Sequence, residues 1–140
     1  MFTYVSLGSS DLQRSARFYD SVLGALGLSR CDTSTESEWD DWIGWGTYED
    51  GGSREVALWV CLPFNGQPAT SGNGTMVALQ AKSWKEVEDF HSAAIAHGGV
   101  SEGAPALRLQ YNPDFYAAYV RDPDGNKLAA VCRGFTAPQD

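Results

Sequence analysis

The sequence offers few side chains of the types that build a metal or catalytic centre. Its two histidines, His91 and His97, are six residues apart on one predicted helix, so about 600° of rotation separates them and they point to different faces. We therefore do not expect them to bind one ion together. His91 is predicted to be half-buried, and His97 to be exposed near the helix end.

Four acidic residues are clustered in a polar segment, at Glu36, Glu38, Asp40 and Asp41. A calcium loop needs a glycine at its sharp turn and a bidentate glutamate at its end, and this segment has neither at the required spacing. The cluster is interpreted as a solvated run of charge that leads into a strand.

The three cysteines, Cys31, Cys61 and Cys132, are odd in number and widely separated. This fits neither a disulfide framework nor a structural zinc site, and it favours reduced, partly buried thiols. Cys61 would be a nucleophile only with a basic partner, and the sequence identifies none. The sequence also lacks a Gly-X-Ser-X-Gly elbow, a phosphate loop and a dinucleotide-binding fingerprint.

Two stretches of the chain repeat one order of elements. The first has a strand over residues 1–7, a helix cap at Asp11 and a glycine stop at Gly27. The second has a strand over residues 76–80, then the cap Ser83 and the Gly98-Gly99 stop. Between cap and stop, apolar residues recur at helical spacing in both stretches.

A single offset of 72 residues relates the two stretches. It separates Phe18 from Phe90 (90 − 18), and at the same offset the strand predicted over residues 54–61 matches residues 126–133. Both stretches therefore end in a hairpin. A shared register with only two copies indicates two equivalent units rather than a solenoid, which needs three or more.

We read each unit as β-α-β-β-β in one domain. Module one spans residues 1–62, the linker residues 63–73 and module two residues 74–140. The predicted fold class is α+β, with a curved mixed sheet, helices on its outer face and a concave face open to a ligand.

Two strings carry a family resemblance: Met1-Phe2-Thr3-Tyr4-Val5, which leads through Leu7-Gly8 to Ser10-Asp11-Leu12, and Tyr116-Ala117-Ala118-Tyr119-Val120-Arg121-Asp122-Pro123-Asp124-Gly125-Asn126. Taken with the internal repeat, the chain resembles the glyoxalase/bleomycin resistance protein/dioxygenase superfamily, also called the vicinal oxygen chelate superfamily. The resemblance covers essentially the whole chain and implies the paired βαβββ fold.

Metalloenzymes of that superfamily bind a divalent ion through His, Gln or Glu on the first and last strands of each half. The resemblance assigns these positions to Tyr4, Ala57, Met76 and Ala129. Alanine has no donor atom, a thioether is a soft and weak ligand, and a neutral phenol is a poor one. We therefore expect no metal at this place and no cofactor.

If those four positions face the concave side, strand alternation and one polar loop define the candidate site. The candidate ligand-binding residues are Phe2, Tyr4, Trp59, Met76, Gln80, Arg108, Tyr111 and Arg121. Tyr4, Trp59 and Met76 would form an aromatic and thioether wall. Alternatively, these large side chains simply fill the former cavity. Arg108 and Arg121 would either bind a carboxylate or phosphate or form surface salt bridges.

Three tryptophans follow each other at a spacing of three residues: Trp39, Trp42 and Trp45. In a strand this spacing puts Trp42 on the face opposite to the other two, unless a bulge intervenes. At least one of the three is predicted to pack in the core.

Composition narrows the classes of partner. With 140 residues, 43% of them hydrophobic, the chain can bury one core. Its net charge of −8 repels nucleic acid and anionic lipid, and no apolar run reaches the ~20 residues of a membrane span. We expect a cytoplasmic protein that binds a small molecule, with neither nucleic acid nor membrane as a partner.

Two classes of function follow from these features. The first is a metal-free protein that binds an aromatic or apolar metabolite or antibiotic. The second is an enzyme: a glyoxalase-like lyase or isomerase or a dioxygenase relative with relocated or absent metal ligands, or a cofactor-free catalyst built on Tyr4, Cys61 or Arg121. A homodimer is expected in both cases, because the strand edges need cover.

Overall fold

The computed structural model describes residues 1–36, 38 and 40–139, so Ser37, Trp39 and Asp140 lie outside the described residues. Its strands and helices follow each other in the order β1 (Tyr4–Gly8), α1 (Leu12–Gly24), β2 (Trp42–Glu49), β3 (Arg54–Cys61), β4 (Val77–Gln80), α2 (Trp84–Ala96), β5 (Val100–Leu107), β6 (Tyr116–Arg121) and β7 (Lys127–Cys132). This order confirms the predicted α+β class. Neither helix in the described part of the chain is both long and apolar enough to cross a membrane.

Both helices begin at the caps that the sequence predicts. The side chain of Asp11 accepts a hydrogen bond from the Arg14 amide at 3.1 Å, and the Ser83 hydroxyl accepts one from the Glu86 amide at 3.1 Å. These bonds satisfy amide groups that the first turn of a helix leaves unpaired. After both helices a glycine has positive φ, 78° at Gly27 and 91° at Gly98, as expected for helix stops.

The strands form two mixed sheets. In module one the strand order is β1-β3-β2, with β1 parallel and β2 antiparallel to β3. In module two the order is β4-β7-β6-β5, with β4 parallel to β7 and the remaining pairs antiparallel. In each module the first and last strands therefore pair in parallel, and the last two strands form the predicted hairpin.

Module one has one strand fewer than the predicted βαβββ unit. Where module two has β5, the described part of module one has only an isolated bridge between Arg30 and Trp45. The polar segment that follows supplies no apolar alternation to extend that bridge into a strand. The first sheet therefore has three strands and the second has four.

The repeat offset also differs at the last strands. Leu7 of β1 pairs with Val60, and Leu79 of β4 pairs with Ala130. The first strands keep the offset of 72 (79 − 7), but their partners are 70 residues apart (130 − 60). The expectation of one register for the whole chain is wrong here, and Ala129 lies beside Ala78 rather than beside Met76.

One core joins the two modules. Helix α1 packs on the first sheet, α2 on the second, and the helices contact each other. Apolar residues of both modules form a single buried cluster, with Phe18 and Phe90 both fully buried in it. The helices thus occupy one face of each sheet, and the opposite, concave faces are left for the site.

A buried carboxylate also ties the modules together. Asp122, in the β6–β7 turn, accepts a hydrogen bond from the Tyr19 hydroxyl of α1 at 2.5 Å. It also accepts bonds from the Asn126 amide and side chain, both at 2.9 Å. The Asn126 side chain in turn donates to the Gly8 carbonyl at 3.0 Å. The Asp-Pro-Asp-Gly-Asn string therefore has a structural role at the junction of the modules.

Candidate functional site

The concave face of module one carries an aromatic cavity of about 360 Å³, lined by Tyr4, Trp42, Glu55 and Trp59. One residue comes from β1, one from β2 and two from β3. Tyr4 is 52% exposed, so its ring stands at the mouth of the cavity. The site therefore combines three rings with a single carboxylate.

Trp59 forms the floor of this cavity because the facing residue on β2 is glycine. Gly44 pairs with Trp59, and a Cβ on Gly44 would lie 2.4 Å from the Trp59 ring. The ring can thus lie flat over β2, where it is only 2% exposed. The Trp59 Nε1 atom donates to the Glu55 carboxylate at 2.7 Å. The Tyr48 ring packs edge-on against the Trp59 ring, with the two ring centroids 5.5 Å apart.

The concave face of module two carries a larger, basic cavity of about 610 Å³. Its lining residues are Met76, Glu102, Arg108, Gln110, Tyr111, Phe115, Tyr119, Lys127 and Arg133. Here too a ring lies over a glycine: Tyr119 pairs with Gly103, where a Cβ would lie 3.0 Å from the Tyr119 ring. Both modules therefore place an aromatic ring over a glycine of the neighbouring strand, although the strands involved, β2 and β3 in one and β5 and β6 in the other, are not equivalent in the repeat.

Positive charge surrounds the Tyr119 ring. The Arg108 guanidinium lies 5.3 Å and the Lys127 ammonium 5.6 Å from its centroid, within the range of cation–π attraction. Arg108 also donates to the carbonyls of Ala104 and Ala117, which fixes its position. Burial raises the pKa of the Tyr119 hydroxyl, so this group stays neutral at physiological pH.

Two further charges of this cavity have partners. Glu102 accepts a hydrogen bond from Arg121 at 2.6 Å, and Arg133 lies 3.8 Å from Asp114. Within the described part of the chain, Arg108 forms no ion pair with an acidic side chain. The cavity therefore keeps an excess of positive charge.

The residues at the metal positions do not fit a divalent ion. Ala57 and Ala129 are buried methyl groups without donor atoms, whereas Tyr4 and Met76 are exposed by 52% and 43% and supply a phenol and a thioether. Among residues 1–36, 38 and 40–139, no group of three or more His, Cys, Asp or Glu side chains is arranged to hold an ion. These residues therefore supply no donor set for a metal-dependent step.

The eight predicted binding residues fall into three groups. Tyr4 and Trp59 line the cavity of module one, and Met76, Arg108 and Tyr111 line that of module two.

The remaining three line neither of these cavities. Phe2 is 72% exposed ahead of β1, and Gln80 is exposed at the end of β4. Arg121 is held by Glu102 and by the Gly125 carbonyl at 2.8 Å. Arg121 thus belongs to a salt bridge at the edge of the module-two cavity, the structural alternative that the sequence left open.

The sequence-based set of binding residues does not include Glu55, Tyr119 or Lys127, although strand alternation places Lys127 on the concave side. The sequence does contain a signal for the position of the Tyr119 ring, because a glycine inside a strand pattern marks a close approach of another group. Gly44 and Gly103 are two such glycines. The charges gave no such signal, because their partners depend on register and bulges.

Other predicted side chains have structural roles. His91 is half-buried, with Nε2 at 2.9 Å from the Ser101 hydroxyl, and His97 is exposed, as predicted. Trp45 is buried in the core and Trp42 faces the cavity, which confirms that they lie on opposite faces. Trp39 lies outside the described residues.

The three cysteines are free thiols. Burial raises the pKa of the half-buried Cys61 thiol, and a raised pKa disfavours the thiolate that nucleophilic catalysis needs. This argues against Cys61 as a reactive nucleophile.

Comparisons with known proteins agree with the fold described above. Among solved structures, a glyoxalase/bleomycin resistance protein from Albidiferax ferrireducens T118 is 36% identical, with a TM-score of 0.76 over 95% of this chain and 98% of that chain. A glyoxalase-related enzyme from Fulvimarina pelagi is 22% identical, with a TM-score of 0.68 over 95% of this chain and 88% of that one, and it shares the fold.

No match is found among curated proteins. The model of the Glyoxalase/Bleomycin resistance protein/Dioxygenase superfamily matches residues 2–130, which is nearly the whole chain. The chain therefore belongs to the glyoxalase/bleomycin resistance protein/dioxygenase superfamily.

Proposed function

We propose that this chain binds a small aromatic or apolar molecule, such as a metabolite or an antibiotic, on its concave faces and without a metal ion. The observation that carries the proposal is the cavity of module one, where Tyr4, Trp42 and Trp59 surround about 360 Å³ of open space. Aromatic walls of this kind bind flat ligands by stacking and by burial of apolar surface.

The alternative that the large side chains merely fill the former cavity is less well supported. Trp59 is packed down on β2, but Tyr4 is 52% and Met76 43% exposed. Exposed apolar side chains that border a cavity leave surface for a ligand to cover. The residues at the metal positions also favour binding over metal-dependent catalysis, because they supply no hard ligand.

A binding screen tests the proposal. Aromatic metabolites and antibiotics are added to the purified protein, and ligands are scored by a rise in Tm, which a ligand of the folded state produces by mass action. Hits are then measured by quenching of tryptophan fluorescence, since two tryptophans line the cavity. No rise with any aromatic compound would overturn the proposal.

A matched pair of variants locates the binding site. Tyr4→Ala removes a ring from the cavity mouth and should weaken binding, while Phe64→Ala removes a fully exposed ring outside the two cavities and should leave binding unchanged. Elemental analysis of dialysed protein tests the metal-free part separately. Stoichiometric nickel, zinc, iron or manganese would favour the enzymatic alternative.

We further propose that the protein is a homodimer. Strands β1 and β4 are each the last strand of their sheet, and Phe2 and Tyr4 expose apolar surface at the first of these edges. Uncovered edges of this kind favour association. Light scattering coupled to gel filtration measures the mass, and a monomer at micromolar concentration would contradict the proposal.

A further inference from the structure

We propose that the module-two cavity binds an organic anion, namely a carboxylate on an aromatic or apolar body. The inference rests on the proposed function, since it names the class of ligand that one of the two concave faces would take. Its basis is the set of cations that this cavity collects in a chain whose net charge is −8.

The charge of the cavity differs in sign from that of the chain. Arg108, Lys127 and Arg133 line it together with a single carboxylate, Glu102. That carboxylate is already neutralised by Arg121, whose Nε lies 2.6 Å away. In an acidic protein, a concave surface with surplus positive charge concentrates anions and repels cations.

Arg108 is held in place before any ligand arrives. Its Nη2 atom donates to the carbonyls of Ala104 and Ala117, and its guanidinium carbon lies 5.3 Å from the centroid of the Tyr119 ring. Its buried Nε has no hydrogen-bond partner among the described residues. A guanidinium fixed in this way loses little entropy when it binds a carboxylate.

Lys127 supplies a second charge on the same ring. Its ammonium lies 5.6 Å from the Tyr119 centroid, and no ion pair in the described part of the chain includes it. The two cations therefore converge on one ring, and a carboxylate beside it would accept charge-assisted hydrogen bonds from both.

The rest of the lining suits an apolar body. Met76, Tyr111 and Phe115 border the cavity, and Met76 and Tyr111 are 43% and 64% exposed. Their surface offers stacking and sulfur contacts to a ring. A small inorganic anion would leave this surface uncovered, which favours an organic ligand.

Four probes separate charge from shape: 1-naphthoate, the neutral 1-naphthamide, the cationic 1-naphthylmethylammonium and acetate. Binding to the full chain is followed by two-dimensional NMR up to about 10 mM probe, a range that detects millimolar affinity. We expect 1-naphthoate to bind at least about tenfold more tightly than the other three, the ratio that one charge-assisted contact provides. The shifts should map to β6 and β7.

Each other outcome overturns the inference. Equal binding of 1-naphthoate and 1-naphthamide would show that charge is not recognised, and acetate binding as tightly as 1-naphthoate would show that the apolar body is not. Preference for the cation would reverse the sign. If 1-naphthoate fails while neutral aromatics bind to module one, the inference fails and the proposed function stands; if every aromatic compound fails, both fall.

A matched pair of lysine variants assigns the effect to the cavity. Lys127→Gln should weaken 1-naphthoate by about tenfold and leave 1-naphthamide unchanged. Lys85→Gln makes the same change of charge on α2, where that side chain is 79% exposed and paired with Asp89, and should change binding less than about twofold. Equal effects of the two variants would indicate a general field rather than a site, and would overturn the inference.

Discussion

The two concave faces share one packing scheme and differ in charge and burial. In module one a tryptophan lies over Gly44 and donates to the Glu55 carboxylate at 2.7 Å. In module two Tyr119 lies over Gly103, and Arg108 and Lys127 lie 5.3 Å and 5.6 Å from the centroid of its ring. The two rings lie on strands that the repeat does not relate, since Trp59 is on β3 and Tyr119 is on β6. Both faces nevertheless place a ring over a glycine of the neighbouring strand, and the side chains around each ring set the chemistry of that face.

The rings also differ in how firmly they are held. Trp59 is 2% exposed, belongs to a buried cluster with Cys31 and Ala57, and is hydrogen-bonded. Tyr119 is only half-buried and borders the larger cavity. A fully buried ring and a half-buried ring flanked by two cations should respond differently to substitution.

The largest expected difference comes from removing the two rings. Trp59→Ala deletes a buried aromatic side chain and should lower the free energy of unfolding by about 3–5 kcal/mol. Tyr119→Ala removes a half-buried ring and should cost about 1–2 kcal/mol. Urea denaturation of both variants measures the difference, and equal losses would show that the two rings are equally integral to the fold.

The glycines beneath the rings give a second test. A Cβ at Gly44 would lie 2.4 Å from the Trp59 ring, which is only 2% exposed, so Gly44→Ala should destabilise by about 2–3 kcal/mol through overpacking. At Gly103 the nearest atoms belong to Tyr119 and to the end of the Arg108 side chain, at 3.0 and 3.1 Å.

Because the half-buried Tyr119 ring can shift toward solvent, and the 3.1 Å contact with Arg108 needs an adjustment of only a few tenths of an ångström, Gly103→Ala should cost less than about 1 kcal/mol. Thermal unfolding of the two alanine variants makes the comparison. A larger loss for Gly103→Ala would mean that Tyr119 is held more rigidly than its exposure indicates.

The elements of this fold were predictable because each has a local signal. The helix caps at Asp11 and Ser83, the glycine stops and the hairpin turns depend on a few neighbouring residues. The position of a side chain across a sheet depends on pairing, which is not local. Three features therefore could not be predicted from the sequence. They are the shift of two residues in the pairing of the last strand, the missing strand of module one, and the separation of the predicted cleft into two cavities.

The site was predicted in part for the same reason. Tyr4, Trp59 and Met76 follow from strand alternation, and they line the cavities. Glu55 and Lys127 lie at the start of the last strand of each module, within two pairs of the hairpin turn, where the register decides which charged side chain lies near which ring. The opposite signs of the two faces come from these positions and could not be read from the sequence.

The comparison extends to the helices, where one repeat position carries a tyrosine in α1 and a histidine in α2. Tyr19 and His91 are 72 residues apart (91 − 19). Tyr19 is fully buried and donates to Asp122 at 2.5 Å. His91 is half-buried beside the Ser101 hydroxyl. The module junction thus depends on one of these side chains and not on the other.

Tyr19→Phe should therefore destabilise the protein by about 2 kcal/mol, because a buried carboxylate loses a hydrogen bond. Burial and the neighbouring Asp122 raise the pKa of the Tyr19 hydroxyl, so it is a neutral donor at every pH of interest. Chemical denaturation measures the loss. The control is Tyr111→Phe, which removes the hydroxyl of an exposed tyrosine and should leave the free energy of unfolding unchanged. Phe18→Tyr would not serve, because it inserts a hydroxyl into the core.

The smallest expected effect is the pH dependence that comes from His91. Burial lowers the pKa of this imidazole below its ordinary value of 6.5, so the unfolded chain takes up the proton before the folded chain does. The contribution to stability is complete above that ordinary value. It is lost as the pH falls from there through the lower pKa of the folded state. His91→Gln should therefore flatten the decline of Tm between about pH 7.5 and about pH 5.5, and thermal unfolding across this range measures the change. Parallel Tm curves for the unmodified protein and His91→Gln would mean that burial does not perturb this imidazole, and that the two repeat positions differ in packing alone.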